Sequence, residues 1–330
     1  MKRRACLQLG LGFGLLSRLS WAQAAALHWE ETIFRGFGTT LSIRAAHEDK
    51  ALVQKALHHA RETVARIEDQ MSLFRPDSAL ALLNRQGYLD PVPDDLMRVL
   101  KISRDISARS QGAFDTTVQP LWTLFDNARQ RGELPSSQQI EHARQSVGWQ
   151  HVRLSPHKVV LTKPGMGITL NGIAQGYAAD RVRAQLKQLG VAHALINTGE
   201  WSSLGTSPDS DAWRLGIADP HQHQRLIGRL AMQGECVATS ADDQCTFSDD
   251  HRYHHIFNPH TGVSPNDISS VTVIAPSATQ ADALTKVLFV NGYEKALQFA
   301  KHWRVKALVI NKLGKWQASP ELLLDQITLG

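Results

Sequence analysis

Among its 330 residues the chain has only three cysteines, Cys6, Cys236 and Cys245. They form no C-x-x-C zinc or redox pair, and no disulfide framework can be built from them. Spacing alone leaves open whether Cys236 and Cys245 pair. Aromatic residues make up 7% of the chain and never interleave with a basic face, which argues against nucleic acid as a partner. No stretch reaches the roughly 18 apolar residues that a membrane-spanning helix needs. A Walker loop, a G-x-G-x-x-G turn and a G-x-S-x-G elbow are missing too; Ser240 in "VATSADDQ" has no elbow around it. Repeats and low-complexity tracts are absent. With 42% apolar and 20% charged residues, what remains is an ordinary globular composition, long enough to bury a real core.

The formal charge is +5, yet the one compact basic cluster is Lys2-Arg3-Arg4. It heads a weakly apolar run, Leu7 to Leu16, followed by the A-x-A signal Ala22-Gln23-Ala24. Residues 1–24 therefore read as an export signal, with the arginine pair pointing to the twin-arginine route, and residues 25–330 as the mature domain. Cys6 precedes the apolar run and cannot be a lipoprotein acylation site. The expected location is the periplasm, soluble after cleavage.

Periodicity gives a mixed architecture. "IFRGFGTTLSIRA" (33–45) reads as one strand, and residues 49–71 place apolar side chains at helical spacing from Leu52 to Met71. A short helix follows the Arg75-Pro76-Asp77 turn, and a second amphipathic helix ends at Gly112. Polar residues 127–139 read as a surface excursion, then "HVRLSP" and "KVVLTK" as a hairpin. "HALINTG", "WRLGIADP" and "VKALVIN" read as strands, and helices are expected after Gly172, after Thr279 and over 292–302. Hairpins mixed with helices predict an α+β fold with largely antiparallel sheets.

Four stretches could carry chemistry. "GIAQGYAAD" sets Gly172 and Gly176 at a turn into a helix, suited to a phosphate or simply to close packing. "ADALTK" offers Asp282 and Thr285 as hard-cation donors, but Asp282 and Lys286 also form a favourable i,i+4 pair. In "HHIFNPHTG", His254 and His255 point to opposite faces of an extended strand and cannot share a metal, so one imidazole acting as a base is the functional reading. A solvated loop fits those residues equally well.

Their order is more specific than any one of them. "FGT" (37–39), "SLFRPDSALALLN" with Ser72, Phe74, Ser78 and Asn84, "GAFDTTVQPLW", "TLNGIAQGYAAD", "VATSADD", "HIFNPHTG" and "ADALTK" follow one another as the blocks of a known family do. Over nearly the whole mature region the chain resembles the ApbE family of FAD:protein FMN transferases. The resemblance implies an ApbE-like, T-fold-related α+β fold. It also implies that FAD is cut at its pyrophosphate, FMN is joined by a phosphoester to a Thr or Ser of a partner protein, and AMP leaves. The partner would be a flavoprotein, in this setting a membrane-associated electron-transfer protein. By motif His255 is the base, with His254 expected to tolerate alanine. The cleft positions are Phe37, Phe74, Ala113, Phe114, Asp115, Thr169, Gln175 and Ile256. Mg²⁺ would be held by the Gly172 carbonyl, Asp282 and the helix position now filled by Lys286, with Thr285 the nearest hydroxyl.

Several positions depart from the family pattern. Thr169 stands for a carboxylate, Asn171 for a glycine, Gln175 for a lysine, Asn258 for an aspartate, and Lys286 for the threonine ligand. Lys286 implies weak Mg²⁺ binding or an ammonium in the metal's place. The alternatives to transfer are an FAD-binding or flavin-delivery protein with a degenerate metal site, and hydrolysis of the FAD pyrophosphate.

Overall fold

The computed structural model describes residues 26–325, so the expected export signal, residues 1–24, lies outside them. In chain order come β1 (His28–Gly36), β2 (Thr39–His47), α1 (Lys50–Met71), α2 (Ala79–Gln86), β3 (Tyr88–Leu89), α3 (Asp94–Arg109), α4 (Gln119–Gln130) and α5 (Ser137–Arg144). Then follow β4 (Val152–Leu154), β5 (Val159–Leu161), α6 (Ala174–Gln188), β6 (His193–Asn197), β7 (Trp201–Leu204), β8 (Trp213–Asp219), β9 (Gln222–Met232) and β10 (Cys236–Ala241). The last are β11 (Ile268–Ala275), α7 (Ala278–Asn291), α8 (Tyr293–His302), β12 (Lys306–Asn311), β13 (Trp316–Ala318) and β14 (Leu324–Asp325).

An eight-stranded antiparallel sheet in the order β1-β2-β6-β7-β10-β11-β12-β13 forms the centre. Strand β11 shows why it must be central: all eight of its residues are buried. Alternate side chains go to opposite faces. Val271, Val273 and Ala275 pack with Ala281, Leu284 and Leu288 of α7, whereas Ile274 packs with Trp213, Leu230 and Met232 of β8 and β9. Helices α1, α6, α7 and α8 thus cover one face, and the three-stranded sheet β14-β9-β8 covers the other. The mixed, largely antiparallel α+β architecture agrees with the pattern of the sequence.

Local signals set the elements. Asp49 caps α1, its carboxylate accepting the N–H groups of Ala51 and Leu52. Ser78 caps α2 through Ala81 N–H and donates to the Ser72 carbonyl, so the serines of "SLFRPDS" are folding devices. Asn84 at the end of that block accepts from Ile168 N–H (2.7 Å) and donates to Ile168 C=O (2.8 Å), clamping the strand-like approach to the glycine block. The expected single strand over 33–45 is instead the β1–β2 hairpin. Phe37 (φ 48°) and Gly38 (φ 77°) make the left-handed turn between them. Residues 127–139 are not wholly an excursion. Helix α4 runs to Gln130, and α5 begins with a capping box of Ser136 and Gln139.

Cys236 is buried and Cys245 half-buried, and both are free thiols.

Candidate active site

The chemistry-bearing blocks meet where α6 crosses α7. A Cβ on Gly176 would fall 2.3 Å from the Ala278 carbonyl oxygen and 2.9 Å from Asp282 Cβ, so the crossing needs glycine. Gly176 is therefore a packing glycine, and its N–H donates to Asp282 Oδ2 (3.2 Å). Gly172, half-buried, opens onto a cleft.

Of the positions expected from the sequence, Ala113, Phe114, Asp115, Thr169, Gln175, Ile256, His255, Gly172 and Lys286 line this cleft. Phe37 and Phe74 line an adjoining hollow that shares Asn171 and Gln175 with it. Phe74 is 73% exposed, leaving its ring free to stack on a ligand. Asp282 and Thr285 lie behind the wall, fully buried. Sequence reasoning missed Trp122, Glu200, Thr239, Ser240, Gln244 and Phe257, which also line the cleft.

His255 is held against the 245–246 segment, next to an isolated bridge between Thr246 and His254. Its N–H donates to the Cys245 carbonyl (3.0 Å), and Nδ1 lies 3.3 Å from the same oxygen. A carbonyl can only accept, so the neutral ring carries its proton on Nδ1 and keeps a lone pair on Nε2. Burial, then His254 and the Lys286 ammonium, lower its pKa to about 4, which makes it a neutral imidazole at neutral pH. Phe257, two residues on, is locked among Phe125, Phe247 and Leu121. Asn258 closes the following turn, accepting from His260 N–H through its side chain and from Gly262 N–H through its carbonyl. Asparagine here does the acceptor work of an aspartate.

His254 differs from expectation. It is fully buried, its ring packs edge-on to Phe289 (5.4 Å between centroids), and Nε2 lies 3.0 Å from the Pro265 carbonyl. It is a core residue and will not tolerate alanine freely.

Asp115 is buried and accepts from Thr117 N–H, Thr117 hydroxyl and Trp149 N–H. Burial outweighs those hydrogen bonds and raises its pKa. It ties the start of α4 to the 148–149 loop at the cleft rim.

One wall of the cleft holds an ion pair whose carboxylate is buried and whose ammonium side chain is partly exposed. Lys286 Nζ donates to Asp282 Oδ1 (2.6 Å) and to the Asp282 carbonyl (3.2 Å). Its stem lies over Gly172, with Cε 3.0 Å from where a Cβ would be. Glu200 lines the cleft nearby and accepts from Thr239 N–H (3.3 Å). Burial, then the Asp282 carboxylate, push the Glu200 carboxyl well above its usual range. The Thr285 hydroxyl donates to the Asp282 carbonyl (2.6 Å) and pairs with Ser240 (2.7 Å).

These residues do not fit a divalent cation. An ammonium already takes one Asp282 oxygen and a backbone N–H the other. Thr285 is fully buried behind the cleft wall, its hydroxyl oxygen engaged with Ser240. Like unit charges 4 Å apart repel by about 4 kcal/mol at an effective dielectric of 20, and a dication beside Lys286 doubles that. No cluster of three or more His, Cys, Asp or Glu side chains that could hold a metal exists among the described residues.

An α+β protein with a cleft lined by both a neutral imidazole and the lysine of an ion pair is the class that fold and site define. A family model described as the ApbE family matches residues 37–309, and the chain belongs to that family. It is 31% identical over 260 residues to a protein of Escherichia coli strain K12 named FAD:protein FMN transferase, covering 75% of this chain and 74% of that one. Among solved structures it is similar to an ApbE protein of Thermotoga maritima (TM-score 0.79, 27% identity, 89% of this chain and 97% of that chain). It is likewise similar to the apo form of Pseudomonas stutzeri flavinyl transferase ApbE (TM-score 0.77, 30% identity, 89% and 94%).

Proposed function

We propose that the protein is an FAD:protein FMN transferase. Family membership and relatives of that name support the activity, and the observation that carries it to these residues is the neutral His255, whose Nε2 lone pair is unspent. FAD would lie along the cleft, its rings against Phe74 and the cleft aromatics and its pyrophosphate against the cleft-facing side of Lys286, where its stem covers Gly172. A Thr or Ser hydroxyl of the acceptor attacks the FMN phosphorus while Nε2 of His255 takes its proton. A phosphoester oxygen–phosphorus bond forms, the pyrophosphate bond breaks, and AMP departs with the electron pair. Charge building on the departing phosphate faces the Lys286 ammonium. Gln175, Thr169 and Asp115 fix the walls.

The acceptor we propose is a membrane-associated electron-transfer protein, met in the periplasm after residues 1–24 are removed. The basic n-region, the short apolar run and the A-x-A site support that placement. Mg²⁺ has a poor site here, and we propose that it binds weakly.

Lys286 against Asp282 also favours a second reading, flavin binding or delivery without transfer. The protein incubated with FAD and a Thr-containing acceptor separates these. Covalent FMN on the acceptor is the expected result. Unchanged bound FAD would indicate delivery, and free AMP plus FMN would indicate hydrolysis; either overturns the transferase reading.

A further inference from the structure

We propose that the Lys286 ammonium is this chain's built-in cation, so that it captures a pyrophosphate-bridged dinucleotide without a divalent metal. The inference rests on the cleft's role as the FAD site but not on transfer itself. Three observations converge on it. Lys286 is the one lysine or arginine among the described residues that line the cleft. Its head is fixed by two bonds to Asp282, and its stem is pressed onto Gly172, so the charge is positioned before any ligand arrives. Its side chain nonetheless keeps 19% of its surface exposed, against 1% for Asp282, so the exposed member of the pair is the positive one.

The surroundings suit a resident monocation better than a bound dication. Asp282 supplies one negative charge to balance one ammonium, and Gly176 N–H fills its second oxygen. Glu200, which lines the cleft as Asp115 does, is buried and accepts a backbone N–H from Thr239. An ammonium has three protons, and two acceptor contacts to Asp282 leave one for a phosphate oxygen. Asn171 and Gly172 of the adjoining turn line the same cleft, but the N–H groups of Asn171, Ile173 and Ala174 are spent on Thr169 Oγ1 and the Leu170 carbonyl, so the ammonium is the principal donor on offer. A pyrophosphate there meets a fixed charge that no chelator removes.

The test is FAD binding by the full-length mature chain, followed by quenching of flavin fluorescence in EDTA and in millimolar MgCl₂. Less than about threefold difference in Kd between the two is expected. Lys286→Thr should lose about tenfold or more in EDTA and recover with Mg²⁺, while circular dichroism stays unchanged. Wild-type protein that binds FAD only with Mg²⁺ overturns the inference, as does a Lys286→Thr variant that binds FAD in EDTA as wild type does. Failure is distinguishable from failure of the transferase reading: the first is a metal dependence of binding, the second an absence of covalent FMN under any condition.

Discussion

The Gly176 N–H donates to Asp282 Oδ2 across 106 residues of sequence, and it does so because nothing but hydrogen stands between α6 and α7 at that point. Two motif blocks that look independent in the sequence are one contact. Gly176→Ala places a methyl against the Ala278 carbonyl, so the helices must part. The expected loss is at or above the upper end of the roughly 1–3 kcal/mol typical of overpacking. Flavin affinity should fall with it, because Asp282 and hence Lys286 shift. Urea denaturation and FAD titration measure the two effects.

The adjacent histidines should separate by phenotype. His255→Ala removes the base and should lower transfer by about 10²–10⁴-fold while FAD still binds. His254→Ala removes a ring packed on Phe289 and its bond to Pro265, and should cost about 2 kcal/mol or more of stability. Melting curves beside a transfer assay distinguish them; two variants alike in both would refute the division of roles.

A base with its pKa lowered to about 4 stays neutral over most of the acid range. The acid limb of kcat/KM for transfer, which reports the free enzyme, should therefore lie near pH 4, not near the 6.5 of an ordinary histidine. His254 is also lowered to about 4, by burial first. Both imidazoles bind protons less readily folded than unfolded. Their contribution to stability is full above about pH 6.5 and is lost as pH falls toward 4, by up to roughly 1.4 kcal/mol per pH unit for each. Denaturation midpoints across that window check the sign.

Glu200 gives the opposite sign. Its carboxyl is raised by burial and Asp282, so the folded protein holds that proton more tightly than the unfolded chain does. Stability from this group is full below the unfolded carboxyl pKa and declines as pH rises through the shifted one. Glu200→Gln keeps the shape without the acid and should be more stable than wild type at about pH 8, by on the order of 1 kcal/mol. Equal melting temperatures there would show that Glu200 is comfortably ionised.

Much of the frame was legible because it follows period and capping. The helix over residues 49–71 and the hairpin at 152–161 appear in the pattern, and the order of motif blocks foretold which segments would meet. What escaped did so for physical reasons. The Phe37-Gly38 turn had its signal in Gly36 and Gly38, but glycines inside a β-rich run fit a bulge as well as a turn, and the backbone's left-handed angles decide it. Helix α5 had its signal, the Ser136–Gln139 capping box, hidden in a polar stretch. Strand β9 carries too many polar residues for a clean alternation, since it pairs with β8 in a small outer sheet. Glu200 gave none: a lone glutamate between two strands shows its burial only when the Asp282 helix is packed beside it. His254 and His255 look interchangeable in sequence, and only the packing of Phe289 against one and the Cys245 carbonyl against the other tells them apart.

Intact mass spectrometry of a Thr-bearing acceptor, after incubation with this protein and FAD, tests the central claim most directly. The account predicts a mass gain of one FMN less water on the acceptor, matched by AMP in solution and abolished by His255→Ala. An acceptor of unchanged mass, with FAD still bound to the protein, would contradict it.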